Sequence, residues 1–150
     1  MTEAEAAEEQ SDSVGKLPIV AALVAVAGLV DAAYLTVHHL TAVPVPCSLI
    51  DGCETVLTSS YAEIAGIPLA AFGAAAYFAA FSLALLAAFG NRFMWTLFGV
   101  QATLMAIFSG WLIYLQAAVI GAFCQFCLLS AATSVTLLIL FVISMLIRRK

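Results

Sequence analysis

Four long apolar runs dominate this 150-residue chain, at about Leu17–Leu40, Gly66–Phe89, Phe93–Ala122 and Cys124–Ile147. Each is near or above the ~20 residues that a helix needs to cross a hydrocarbon core. Hydrophobic residues make up 65% of the chain and charged residues 9%, against about 45–50% and about 25% in soluble domains. The apolar surface is therefore meant for lipid rather than for a water-excluding core. Residues 17–150 read as one all-α membrane domain, a four-transmembrane-helix bundle. Gly90-Asn91 separates the second run from the third. The third and fourth are nearly continuous, and their break is expected around Gly121–Gln125. Pro68 falls just inside the second run, where a first-turn proline is tolerated. That run is rich in alanine (Ala70, Ala71, Ala74, Ala75, Ala76, Ala79, Ala80) with Gly73, which allows neighbouring backbones to approach closely.

Charge lies outside these runs except at Asp31. Glu3, Glu5, Glu8, Glu9 and Asp12 make residues 1–16 an acidic segment, expected as a disordered, solvated cytoplasmic tail. It is too acidic for the n-region of a signal peptide, and the apolar run after it is too long for an h-region, so no cleavage is expected. Five scattered basic residues form no patch, which leaves nucleic-acid binding unsupported. With four spans, Lys16, Arg92, Arg148, Arg149 and Lys150 all fall on one face of the membrane, which the positive-inside rule assigns to the cytoplasm. Both termini are then cytoplasmic. The loop at 41–65 and the turn near 121–125 lie outside, and with them all four cysteines, in a compartment where disulfides persist.

The cysteines form two pairs. Cys124 and Cys127, in C-Q-F-C, open the fourth run, so both thiols are expected on the first turn of a helix. There the unpaired N–H groups and the dipole favour thiolate. Their spacing places both sulfurs on one face, close enough to bridge. Cys47 and Cys53 lie in V-P-V-P-C-S-L-I-D-G-C, an exposed loop short enough to close at low entropic cost. A static disulfide stapling the loop is an alternative account of this pair. A zinc site using His38 and His39 is another, although only one of the two spacings is metal-like. No metal is expected.

The segments C-S-L-I-D-G-C-E-T-V-L-T-S-S-Y-A, G-I-P-L-A-A-F-G and F-C-Q-F-C-L-L-S-A together resemble the vitamin K epoxide reductase (VKOR) family in its bacterial form. The resemblance covers about Leu17 to Ile147 and leaves out the acidic segment. It implies a four-helix bundle that oxidises a thioredoxin-fold partner and reduces a membrane quinone, either ubiquinone or menaquinone. The bacterial members resemble DsbB in role, supporting disulfide formation in exported proteins from the cell inner (plasma) membrane. Carried onto this chain, Cys47 exchanges with the partner's thiols, Cys53 then attacks Cys124, and Cys127 is released as the thiolate that meets the quinone. Ser59 matches the family's loop serine, a hydrogen-bond donor near the quinone, although a helix cap or a loop bond would equally explain a serine there. Vertebrate members carry an asparagine near the start of the second helix and a tyrosine four residues past the last cysteine. This chain has G-I-P-L-A-A-F-G and Ala131 in those places, which favours an ordinary respiratory quinone over vitamin K epoxide. Some relatives carry their thioredoxin-fold partner fused after a further helix; here a separate, DsbA-like exported protein is expected. Rival functions are a reductive thiol–disulfide conduit without a quinone and a non-enzymatic metal-binding membrane protein.

Other residues stand out against the apolar background. Asp31 is the only acid inside a span, on one stripe with Gly28, Tyr34 and His38. Hydrogen bonding within the bundle is expected of it ahead of proton delivery to the quinone. Trp111, Tyr114, His38 and His39 are expected at the membrane interface. By fold analogy, the stretch after Cys53, with Val56, Tyr61 and Ile64, is expected to form a half-helix capping the bundle mouth on the extracytoplasmic side.

Overall fold

The computed structural model describes the backbone of residues 3–149 and the side chains of residues 15–149. Helix α1 (Glu3–Thr41) is followed by the short α2 (Cys53–Leu57), a hairpin of β1 (Glu63–Ile64) and β2 (Ile67–Pro68), and helices α3 (Leu69–Ala88) and α4 (Arg92–Leu115). A π-helical turn at Gln116–Ile120 then leads to α5 (Gln125–Arg149). Four helical stretches are long and apolar enough to cross a membrane: Gly15–Thr41, Leu69–Ala88, Arg92–Ile120 and Gln125–Arg149. They match the four expected spans to within a few residues. The expected tail at 1–16 falls outside the described side chains except for Gly15 and Lys16, and its backbone from Glu3 is continuous with α1.

Helix α1 packs on α3 and α5, and α4 closes the ring by packing on the same two. The alanines explain how tightly α1 and α3 meet. Ala21, Ala25, Ala80 and Ala84 are fully buried in one cluster with Tyr77, Trp95, Phe98 and Leu137. Without a hydrophobic drive between helices in lipid, such close van der Waals contact is what holds them together. Toward the Arg92 end, the Trp95 indole N–H donates to Ser144 Oγ at 3.0 Å, and the ring stacks on Phe98. Large side chains such as Leu23, Phe78, Leu104 and Leu146 point outward, as lipid-facing residues must.

The element boundaries follow local chemistry. Asn91 caps α4 by accepting from the Phe93 and Met94 amides at 3.1 and 3.3 Å. The second span starts at Leu69 rather than Gly66, because Ile67 and Pro68 pair with Ile64 and Glu63 in the hairpin. Pro68 is thus the residue before the helix, not its first turn. The expected half-helix is shorter than foreseen. Only Cys53–Leu57 is helical, and Thr58–Pro68 forms turns and the hairpin. Thr58 Oγ1 donates to the Glu54 carbonyl at 2.7 Å and Ser59 Oγ to the Val56 carbonyl at 2.7 Å, local bonds that compete with helix continuation. This segment nonetheless caps one end of the bundle. His39 Nε2 ties it to α1 through Glu63 Oε1 at 2.7 Å.

By this up-and-down order, the loop, α2, the hairpin and the start of α5 share one end of the bundle. Lys16, Arg92, Arg148 and Arg149 belong to the other end. Lys150 lies outside the described residues.

Candidate active site

The four cysteines converge. Cys47 and Cys53 are joined by a disulfide with 6.3 Å between their Cα atoms, while Cys124 and Cys127 are free thiols. Cys53, Val56 and Cys124 form one buried cluster against which Cys47, Phe126 and Cys127 pack. Exposure is graded along the set. Cys47 is half-buried in the exposed loop, whereas Cys53 and Cys124 are 1% and 0% exposed.

Two contacts press the loop onto the helix start. Gly52 sits so tightly on the 122–123 backbone that a Cβ there would collide with the Phe123 carbonyl. The Leu49 amide donates to Gln125 Oε1 at 3.0 Å, which gives the glutamine of C-Q-F-C a docking role. Neither is visible as a motif, because the partners are remote in sequence.

Cys124 is the residue before α5, not a member of its first turn as expected. Its carbonyl accepts from the Leu128 amide at 3.0 Å and its Sγ accepts from the Cys127 amide at 3.4 Å. That is the bonding of an N-cap, with sulfur in place of the usual oxygen. A hydrogen bond from the Cys127 side chain, opposed by burial and the Asp31 charge, pulls the Cys124 thiol down to about 7. A helix start that favours a thiolate was legible in the sequence; its assignment to Cys124 as the cap was not.

Gln116, which sequence reasoning missed, holds Cys124 from below. Its side chain is 3% exposed, and Oε1 accepts the Cys124 amide at 2.9 Å. The π-helical turn from Gln116 to Ile120 and the left-handed Gly121 (φ 70°) bring that amide within reach. Glycine adopts such a φ without steric cost, and π turns recur at functional sites. The one available signal was an amide side chain in an apolar span, which Gln101 shares.

Below the cysteines lies a cavity of about 800 Å³. Cys127 and Ser59 both line it, together with Tyr77, Gln101, Gln116, Ser130 and many apolar side chains. Its rim includes Phe72, Leu104, Phe108 and Trp111, all exposed on the flank of the bundle, so it opens toward the side that faces lipid. Trp111, expected only as an interfacial residue, is therefore also a wall of this cavity; Tyr114 packs beside it. Ser59 reaches the wall, and its hydroxyl makes the loop bond to Val56 described above.

Asp31 is 8% exposed, and its Oδ2 has no hydrogen-bond partner, so the bundle does not satisfy that oxygen as expected. The rest of its stripe packs: Tyr34 contacts His38 and Phe126 with ring centroids 4.3 and 5.4 Å apart, and Gly28 makes room for the Tyr77 ring.

A disulfide in a surface loop thus abuts a reduced dithiol at a helix start, over an apolar cavity. A thiolate on one pair attacks a disulfide on the other when they touch, which is the minimum equipment for moving electrons between them. Among protein families, the vitamin K epoxide reductase family matches residues 19–142, a stretch that holds both cysteine pairs and all four membrane-spanning helices except their outermost residues. The chain belongs to the vitamin K epoxide reductase family and is a membrane thiol–disulfide oxidoreductase.

Proposed function

We propose that this protein takes two electrons from a thioredoxin-fold dithiol protein and passes them through its two cysteine pairs to a quinone in the bilayer. It thereby supports disulfide formation in exported proteins. The observation that carries this reading is the graded path: Cys47 reachable, Cys53 packed with Cys124, and Cys127 on the wall of an apolar cavity.

The cavity suits a quinone. Its volume of about 800 Å³ falls within the ~300–1,000 Å³ of ligand pockets. Its lining is mostly apolar, and its rim is open to lipid, where such a molecule dissolves. A bound quinone supplies an acceptor for two electrons and two protons.

The protein's own residues account for the remaining steps. A partner thiolate attacks Cys47, breaking the Cys47–Cys53 bond, forming a mixed disulfide and releasing Cys53 as a thiolate. The partner's second thiol then displaces Cys47, leaving the partner oxidised and both loop cysteines reduced. Cys53 attacks Cys124 of an oxidised Cys124–Cys127 pair, so a Cys53–Cys124 bond forms and Cys127 leaves as a thiolate. Cys47 next attacks Cys53, which restores the loop disulfide and frees Cys124. The end point is an oxidised loop pair above a reduced helix pair, the state seen here. Cys127, on the cavity wall, and Cys124, its hydrogen-bonded neighbour, then close their own disulfide as the electrons and the thiol protons depart.

Cys127→Ala tests this order. In that variant the Cys124 thiolate has only Cys53 to attack, releasing Cys47, so a Cys53–Cys124 bridge accumulates and appears in non-reducing peptide maps. Quinone reduction is lost with every donor. Cys47→Ala, by contrast, blocks entry from the protein partner but keeps quinone reduction when a small dithiol is supplied. Normal turnover by Cys127→Ala would overturn the assignment.

A further inference from the structure

Ser130 lies one turn beyond Cys127 on α5, and both residues line the cavity. Neighbours at this helical spacing stand about 5–6 Å apart at Cβ, a distance that one six-membered ring spans. The Ser130 hydroxyl belongs to a group of four buried or half-buried hydroxyls. Tyr77 Oη, from α3, lies 3.1 Å from Ser130 Oγ, 2.6 Å from Thr133 Oγ1 and 2.9 Å from Ser134 Oγ, and also meets the Ser130 carbonyl.

Three of these hydroxyls converge on the Ser130 carbonyl. Thr133 and Ser134 both donate back to the Ser130 carbonyl, at 2.7 and 3.1 Å, and a carbonyl has two lone pairs. Tyr77 Oη donates to the same carbonyl, and Ser130 Oγ lies within hydrogen-bond distance of Tyr77 Oη. The Ser130 hydroxyl can turn its proton to Tyr77 Oη or to the cavity, on whose wall the residue is half-buried. Its Oγ bonds to Tyr77 alone, whereas the hydroxyls of Thr133 and Ser134 also have a backbone acceptor. Two other polar side chains in the wall donate to backbone carbonyls: the Ser59 hydroxyl to Val56, and the Gln101 amide to Ala76 at 3.4 Å. The Tyr77 ring that organises the group is itself seated by Gly28, where a Cβ would collide with it.

We propose that the Ser130 hydroxyl, held in place by Tyr77, donates a hydrogen bond to a carbonyl oxygen of the quinone ring that lies against Cys127. This deepens the function proposed above and rests on it. Pockets for small molecules fix orientation with a few placed polar groups in an apolar wall, and Ser130 is the hydroxyl on this wall one helical turn from Cys127. Ser130 is a binding residue, and Tyr77 is a positioning residue that acts through it.

The test uses the full-length protein with both pairs oxidised, so that a bound 1,4-naphthoquinone is not consumed. Infrared difference spectra are recorded on the bound quinone, and its affinity is measured by quenching of tryptophan fluorescence. In the wild type one of the two carbonyl stretches should be lowered relative to the free quinone. Ser130→Ala should return that band to its free position and weaken binding about fivefold, the change equivalent to one neutral hydrogen bond of about 1 kcal/mol. Ser130→Thr, which keeps a hydroxyl, should restore the lowered band. A purely structural Ser130 would leave the band where it is. Identical carbonyl bands in wild type and Ser130→Ala would overturn this proposal alone. If the oxidised protein binds no quinone at all, the proposed function falls and Ser130's role falls with it.

Discussion

Cys124 connects the backbone to the chemistry through three hydrogen bonds. Its amide is held by Gln116, its carbonyl starts α5, and its sulfur accepts the amide of Cys127. A sulfur in that cap position is stabilised as a thiolate, and closing the Cys124–Cys127 disulfide removes the acceptor. With the thiol drawn down to about 7, alkylation of the reduced protein by iodoacetamide should rise through a midpoint near pH 7. Asp31 acts in the opposite sense, because its negative charge opposes a second one on Cys124. Asp31→Asn removes that charge, so the midpoint of Cys124 alkylation should move to lower pH; an upward shift or none would contradict the electrostatic link. The cysteines were legible in the sequence because thiols in pairs are rare in an apolar chain. Gln116, Gln125 and Ser130 were not. Each acts through one hydrogen bond to a residue far away in sequence or around a turn whose geometry no local pattern encodes.

At the scale of elements, the four spans were read to within a few residues, since length and apolarity alone decide whether a helix crosses a membrane. Their connections were read less well. Turn chemistry identified Gly90-Asn91, but the hairpin at Glu63–Pro68 and the π turn at Gln116–Ile120 arise from pairings that period and propensity do not reveal. The 41–68 segment is where these connections matter, because it brings Cys53 to Cys124. Gly52 approaches the Phe123 backbone so closely that a Cβ there would collide with it. Gly52→Val should lift the loop from the helix start while leaving the Cys47–Cys53 disulfide intact. The expected signature is loss of the Cys53–Cys124 bridge in the Cys127→Ala background, with quinone reduction from a small dithiol retained in the otherwise wild-type protein. An undiminished bridge would show that this contact does not position the loop.

The whole molecule is a bundle with two unlike ends, one holding four cysteines and a cavity, the other Lys16, Arg92, Arg148 and Arg149. The basic end belongs in the cytoplasm if the charge bias sets orientation as it does in other polytopic chains. A reporter active only in the cytoplasm should then work when fused after Lys150 or inserted near Asn91 and fail near Leu49; activity from the Leu49 insertion would reverse the orientation. A protein donor is caught by removing the resolving thiol. Cys53→Ala should accumulate a Cys47–partner mixed disulfide, visible as a larger band on non-reducing gels. The absence of any adduct with an exported dithiol protein, where the wild type is active, would count against a protein donor. The central claim is that this end of the bundle delivers electrons to a quinone. It is tested most directly by mixing the fully reduced protein with a soluble quinone without oxygen, while following quinol absorbance and thiol titre together. Quinol should appear as thiols disappear, two for each quinone reduced; thiols that stay titratable while the quinone remains unreduced would contradict it.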